Sequence, residues 1–199
     1  MYVGRIVVIG RTGGNCWVGY RVSSRSFPNR LTTLRDETVM VSPRDPRDLE
    51  KNPYIAYNCI RLVGSTAVVA NGTQADMITE KIEDGMKPMD AIGLSLVAYG
   101  YERDELDTPR IAGVARGDEG WLGIAQKDEV KVKRFSLEDD CAFLVATYEK
   151  TEFEPVDMSG VGAKEVSKAA FDLDLEKPVC SASAFWNGEG FSLGVYNPE

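Results

Sequence analysis

Apolar positions in this chain fall mostly in short β-branched runs separated by turn residues, a pattern that predicts strands more than helices. Residues 5–10 (Arg-Ile-Val-Val-Ile-Gly) predict a buried strand, being short and β-branched with Gly at the end. Residues 11–15 predict a turn and residues 16–22 a second strand, so the two form a hairpin. Residues 32–41 predict a third strand kinked at Asp36, and the proline-rich, mixed-charge stretch 42–53 a surface loop. Residues 54–69 alternate apolar and polar around Gly64-Ser65, which predicts a further hairpin ended by Asn71-Gly72-Thr73.

Helical spacing then takes over. Thr73 with Asp76 three residues on has the form of a capping box, and the helix it opens runs to about Asp84, closed by Gly85. Pro88 suits the first position of a second helix, where Ile92, Leu96 and Tyr99 make a buried stripe. After Pro109 strands return over 110–116, 120–125, 129–135 and 141–147, with a third helix over 163–171. Strands at 179–186 and 191–196 flank a Gly188-Glu189-Gly190 turn. Antiparallel runs with a central helical pair predict an α+β fold with packed sheets, not alternating βαβ units. No repeat or linker divides residues 1–199, so one domain is expected.

Composition narrows the chemistry. Of 199 residues none is histidine, which excludes His zinc sites, Ser-His-Asp triads and Cys-His dyads. Proton transfer is left to Glu, Asp, Tyr, Lys, Cys, water or substrate groups. Cys16, Cys59, Cys141 and Cys180 are widely spaced and predict free thiols; no calcium-loop spacing exists, so no metal and no cofactor is expected. The strand-turn pattern Val7-Val8-Ile9-Gly10-Arg11-Thr12-Gly13-Gly14 is followed by a strand, whereas a nucleoside-triphosphate loop needs a helix and a Gly-Lys-Ser/Thr ending. No apolar run approaches the ~20 residues that span a bilayer, and the first residues lack the features of a secretory signal, so a cytoplasmic protein without membrane contact is expected.

Charge is unevenly spread. Through Arg61 there are nine Arg and one Lys against five acidic residues, although the chain as a whole carries −8. The acidic balance argues against nucleic acid as a partner. A compact Arg/Ser/Asn segment on such a protein predicts a pocket for a small anion, against the plainer alternative of Arg stems covering apolar surface. That segment is Tyr20-Arg21-Val22-Ser23-Ser24-Arg25-Ser26-Phe27-Pro28-Asn29-Arg30. Two others carry candidate chemistry. In Tyr57-Asn58-Cys59-Ile60-Arg61, a strand would set Tyr57, Cys59 and Arg61 on one face and Asn58 on the other. The stretch from Tyr99 to Glu105 leads into Thr108-Pro109-Arg110-Ile111-Ala112 at a helix end. The alternation Asp172, Asp174, Glu176 with Leu173 and Leu175 predicts an exposed strand face.

Together with Tyr2-Val3-Gly4-Arg5-Ile6-Val7-Val8-Ile9-Gly10, these segments resemble the archaeal-type inosine monophosphate (IMP) cyclohydrolase family along the whole chain. The resemblance implies a four-layer αββα sandwich of antiparallel sheets similar to N-terminal-nucleophile hydrolases. It also implies dehydrative closure of 5-formamidoimidazole-4-carboxamide ribonucleotide to IMP, the last step of purine synthesis. The start, Met1-Tyr2, offers no Cys, Ser or Thr nucleophile, which departs from the amidase mechanism of that fold. Tyr57, Glu102 and Arg21 are then the expected catalytic residues, with Ser24, Arg25, Asn29, Arg30, Asn58, Cys59 and Arg110 binding the purine nucleotide. An N-terminal-nucleophile amide hydrolase and a non-catalytic nucleotide-binding module remain as alternatives. Sites built between subunits make a homo-oligomer the expectation.

Overall fold

Residues 1–51 and 55–198 are described by a computed structural model, in which the strands form two antiparallel sheets. The strands are β1 (Arg5–Thr12), β2 (Asn15–Ser23), β3 (Arg30–Arg35), β4 (Thr38–Pro43), β5 (Tyr57–Val63), β6 (Thr66–Ala70) and β7 (Arg110–Arg116). They continue with β8 (Glu119–Ala125), β9 (Val130–Ser136), β10 (Cys141–Ala146), β11 (Glu154–Pro155), β12 (Pro178–Trp186) and β13 (Phe191–Tyr196). The helices are α1 (Asp48–Lys51), α2 (Gln74–Glu83), α3 (Pro88–Tyr99) and α4 (Ala163–Asp172). One sheet has the order β11-β10-β1-β2-β12-β13, the other β3-β4-β5-β6-β7-β8-β9.

Alternate side chains of each strand enter different cores. Val7, Ile9, Val18 and Tyr20 meet Val39, Tyr57, Ile111 and Leu122 between the two sheets. Ile6, Val8 and Trp17 turn the other way, onto Val166 and Ala170 of α4. Val68, Val114 and Trp121 on the far side of the second sheet cover Ile78, Ile92 and Leu96 of α2 and α3. The continuous apolar run of β1 is thus buried on both faces, which explains why it lacks polar alternation. The sheets approach closely at Gly113, where a Cβ would stand 2.8 Å from Val7 Cγ1.

Several expectations change in the fold. The predicted third strand is a hairpin: Asp36 adopts φ 47° and turns β3 into β4, paired from Arg35↔Thr38 to Arg30↔Pro43. Asp tolerates that left-handed conformation better than most residues, so the kink signal was a turn signal. The stretch 42–53 contains α1, while its residues 52 and 53, and Tyr54, lie outside the described residues. The capping box does not form: Thr73 makes no side-chain cap, and Asp76 accepts from Asn58 Nδ2 (2.8 Å) and Arg61 Nη1 (3.2 Å) instead. Ile92 and Leu96 are buried but Tyr99 is exposed. Residues 172–176 do not form a strand face; after α4 the chain runs irregularly to β12.

A bulge alters β5. Met40 pairs with Asn58 and Val39 with Ile60, so Cys59 is an extra residue in the ladder. The insertion resets alternation: Tyr57 and Cys59 stay in the inter-sheet core, whereas Arg61 joins Asn58 on the side of α2.

Candidate active site

Several strand ends and loops meet at one rim of the two sheets and enclose a cleft of about 550 Å³ of empty space, counting its mouth. Arg5 enters at the start of β1, Ser24 and Phe27 from the loop after β2, and Arg30 at the start of β3. Tyr57 opens β5, Asn71 follows β6, Glu102 and Asp104 lie in the loop after α3, and Tyr148 follows β10.

Tyr57 lines the cleft and is backed by the buried Tyr20. Tyr20 Oη and Tyr57 Oη are 2.7 Å apart, with the rings edge to face at 83°. Burial raises both phenols above their ordinary value, Tyr20 further; the nearby cations Arg30 and Arg5 oppose the rise at Tyr57. Both are therefore protonated at neutral pH, and the pair can present one O–H to the cleft. Arg5 and Arg110 flank the carboxylate of Glu102. Arg5 Nη2 is 3.4 Å from Oε2, and Arg110 Nη1 is 3.7 Å from Oε1. Burial nonetheless raises the Glu102 carboxyl above its ordinary value, because desolvation outweighs the two cations. For Arg5 the balance is reversed: burial acts to lower it, and Glu102 with the tyrosines holds it above the ordinary guanidinium value.

Arg110 is placed by Gln74, whose Oε1 accepts from Nη1 at 3.1 Å, and its guanidinium lies 5.3 Å from the centre of the Tyr99 ring. Arg30 donates from Nε to the Phe27 carbonyl at 3.1 Å, and its terminal nitrogens bond no described residue. At the opposite wall the Thr108 hydroxyl donates to Asp104 Oδ2 (2.7 Å) and stands 2.6 Å from Tyr148 Oη. With its own hydrogen bond donated to Asp104, Thr108 accepts the hydrogen bond of the Tyr148 hydroxyl, so Tyr148 is left with acceptor lone pairs for the cleft. Burial acts upward on Asp104, but the donors from Thr108 and Leu106 bring its carboxyl below the usual value.

Of the residues expected from the sequence, Ser24, Arg30, Tyr57 and Glu102 line the cleft and Arg110 stands behind Glu102. The structure places the other five elsewhere. Arg21 is fully buried on the α4 side of β2, the opposite face from Tyr20. Its Nε donates to Ser23 Oγ at 3.0 Å. Nη1 donates to the carbonyls of Phe171 (3.1 Å) and Leu173 (2.6 Å), and Nη2 to that of Leu175. Arg25 is exposed, paired with Glu176 at 3.3 Å and stacked on Tyr2. Asn29 is exposed, and its carbonyl accepts the Arg44 amide. Asn58 faces α2. Cys59 is enclosed between the sheets, its thiol donating to the Val39 carbonyl at 3.4 Å; burial raises that thiol well above its ordinary value.

Residues that sequence reasoning assigned no role also build the cleft: Arg5, Asn71, Asp104 and Tyr148 line it, and Tyr20 stands buried behind Tyr57. Tyr20 lay inside the singled-out segment. Arg5 was legible only as the edge of an apolar strand, and nothing local marks Tyr148.

Comparison with known proteins agrees with the resemblance in the sequence. A family model described as "IMP cyclohydrolase-like protein" matches residues 2–190. A protein of Methanothrix thermoacetophila named IMP cyclohydrolase is 58% identical over 198 residues, covering 100% of both chains. Proteins of the same name from Methanocella arvoryzae and Natronomonas pharaonis are 52% and 46% identical, covering 99% and 100% of this chain and 98% and 100% of their own. With the match running through every segment that builds the cleft, the chain belongs to the IMP cyclohydrolase-like family.

Proposed function

We propose that this chain is an IMP cyclohydrolase, closing 5-formamidoimidazole-4-carboxamide ribonucleotide to IMP with loss of water. What carries the reading is the full-length 58% identity to a relative of that name. The cleft supplies a physical reason for it. The carboxamide nitrogen attacks the formyl carbon on the same molecule, so holding the two together supplies much of the acceleration. A C–N bond forms, the nitrogen gives up one proton, and the formyl oxygen becomes a hydroxyl. That hydroxyl leaves as water with the proton of the former formamido nitrogen, and a C=N bond remains.

Each step has a candidate group. Arg5, Arg30 and the Tyr57 hydroxyl stabilise charge on the formyl oxygen; one such donor is worth ~10²–10³ in kcat. When Tyr20 donates to Tyr57, the Tyr57 proton faces the substrate. The Glu102 carboxylate, oriented by Arg5 and Arg110, takes the carboxamide proton. Ser24 adds a neutral donor. The nucleophile and electrophile belong to one substrate, so the scheme calls for no cofactor. Helices outside two antiparallel sheets support a four-layer likeness to N-terminal-nucleophile hydrolases. One domain over residues 1–199, cytoplasmic, without a membrane partner and assembled as a homo-oligomer, completes the reading. No described helix is long and apolar enough to cross a membrane.

Ultraviolet absorbance of purified protein with the formamido ribonucleotide, with and without chelator, tests this. Chelator-resistant conversion to IMP is expected. Nucleotide binding without turnover would leave the chain a binding module.

A further inference from the structure

Arg110 reaches Glu102 from behind the cleft, yet the two do not close on each other. The Nη1–Oε1 separation is 3.7 Å, whereas a charge-assisted hydrogen bond is about 2.7–2.9 Å long. Nη1 instead donates to Gln74 Oε1 at 3.1 Å. A neutral amide thus holds a guanidinium that the adjacent buried carboxylate would otherwise capture. The position is not the most favourable one for Arg110 itself, whose buried Nε finds no partner among the described residues.

The main chain dictates how that amide points. Asn71 and Gln74 are both buried, between the end of β6 and the start of α2. The Ile111 amide donates to Asn71 Oδ1 at 2.8 Å, and Asn71 Nδ2 donates to the Pro109 carbonyl at 3.0 Å. A backbone N–H only donates and a carbonyl only accepts, so these two bonds fix which end of the Asn71 amide is oxygen. Asn71 Oδ1 then accepts from Gln74 Nε2 at 2.8 Å, and the Ile111 carbonyl accepts from it at 3.2 Å. That leaves Gln74 Oε1 as the atom facing Arg110. Gly72 makes room for the contact: a Cβ there would stand 2.7 Å from both Arg110 Nη1 and Gln74 Oε1.

Resting on the function proposed above, we propose that Gln74 is a positioning residue: through an amide locked by Asn71 it holds Arg110 back from Glu102, so that the carboxylate is oriented yet still able to accept a proton. A carboxylate fully paired with a guanidinium binds a proton weakly, and a general base has to bind one. Glu102 is faced by Arg5 from β1, Arg30 from β3 and Arg110 from β7, with Asp104 of its own loop acting against them. The Tyr57 and Tyr148 phenols of the same cleft are raised by burial and uncharged at neutral pH. Of the three cations, Arg110 has its Glu102-facing nitrogen bonded to a neutral side chain.

The test measures the proton affinity of Glu102 in Gln74→Met, Arg110→Met and the double variant. It is read from the acid limb of kcat on the formamido ribonucleotide. Independently of turnover, it is read by carbon NMR titration of the Glu102 carboxyl, assigned by its loss in Glu102→Gln. Met fills the space of Gln without an acceptor, so Arg110 closes onto Glu102. The midpoint then moves down by about one pH unit and kcat falls by up to about tenfold, with KM within about twofold of wild type. Arg110→Met moves the midpoint up instead, and the double variant follows Arg110→Met, because Gln74 acts only through Arg110. A midpoint unmoved or raised in Gln74→Met, or additive shifts in the double variant, overturns the positioning role. Looser packing alone would lower stability and leave the midpoint in place. If Gln74→Met does not fold, Gln74→Asn, one methylene too short to hold Nη1, carries the same expectation. Failure of the wild type to convert the ribonucleotide refutes the cyclohydrolase reading, while the NMR midpoints still decide whether Gln74 holds Arg110 back.

Discussion

Replacing Arg21 by Met separates a structural arginine from a ligand-binding one. Met keeps an apolar stem of comparable length and removes the guanidinium. The carbonyls of Phe171, Leu173 and Leu175 then lose their charged donor, and Ser23 Oγ loses its Nε partner. A hydrogen bond to a charged group contributes ~1.5–3 kcal/mol, and a buried acceptor left alone costs ~1–3. Against this, the variant no longer desolvates a cation: burial lowers the Arg21 pKa to about 10, despite Asp172 acting the other way. The guanidinium is still charged at pH 7, so that desolvation cost is present in wild type. The net loss is about 3 kcal/mol, the low end of what removing one partner of a buried charged contact costs. At about 2–4 °C per kcal/mol for a chain of this size, Tm falls by about 6–12 °C. Urea denaturation with an unchanged m-value measures the difference directly. At a temperature where both proteins are folded, kcat and KM should match within about twofold, since Arg21 is on the far side of β2 from the cleft. An unchanged urea midpoint with a tenfold rise in KM would refute the argument and return Arg21 to the site.

Three further outcomes are expected. Glu102→Gln lowers kcat by about 100-fold, within the range for a general base. Wild-type activity falls as pH drops through the raised Glu102 value and its carboxylate takes a proton; that acid limb is absent from the variant, and a wild-type pH profile would remove Glu102 from proton transfer. Tyr57→Phe lowers kcat by about 10²-fold, while Tyr20→Phe costs about tenfold and ~1 kcal/mol of stability, because it leaves the Tyr57 hydroxyl without its 2.7 Å partner. Full activity in Tyr20→Phe would show that the pair does not act as a unit. Gly113→Ala destabilises by ~1–3 kcal/mol in urea, because its Cβ would meet Val7 and Ile9 across the sheet interface.

The strand and helix plan was legible because its signals are local. β-Branched runs, turn glycines and Pro88 act within a few residues, and most elements fall within a residue or two of their expected bounds. Where local signals misled, a neighbour distant in sequence had taken the group. Asp76 left its capping box for Asn58 and Arg61, and Asp36 made a hairpin because β3 had β4 to pair with. Absence of histidine, the uneven charge and the family resemblance were likewise available from the chain alone.

The site was legible only in part. Arg30, Tyr57 and Glu102 could be picked out, but Arg21 could not be told from Arg30 by composition. Strand β2 is buried on both faces, so alternation showed that Tyr20 and Arg21 point oppositely without showing which face meets the cleft. Only the stacking decided it: β2 lies between β1 and β12, with the second sheet on one side and α4 on the other. One extra residue at Cys59 likewise sent Arg61 away from Tyr57. Arg5 and Glu102, 97 positions apart, became partners through pairings that no short window records. Sequence periodicity determines what each element is; which of its faces carries chemistry depends on long-range packing, where a one-residue shift exchanges inside for outside.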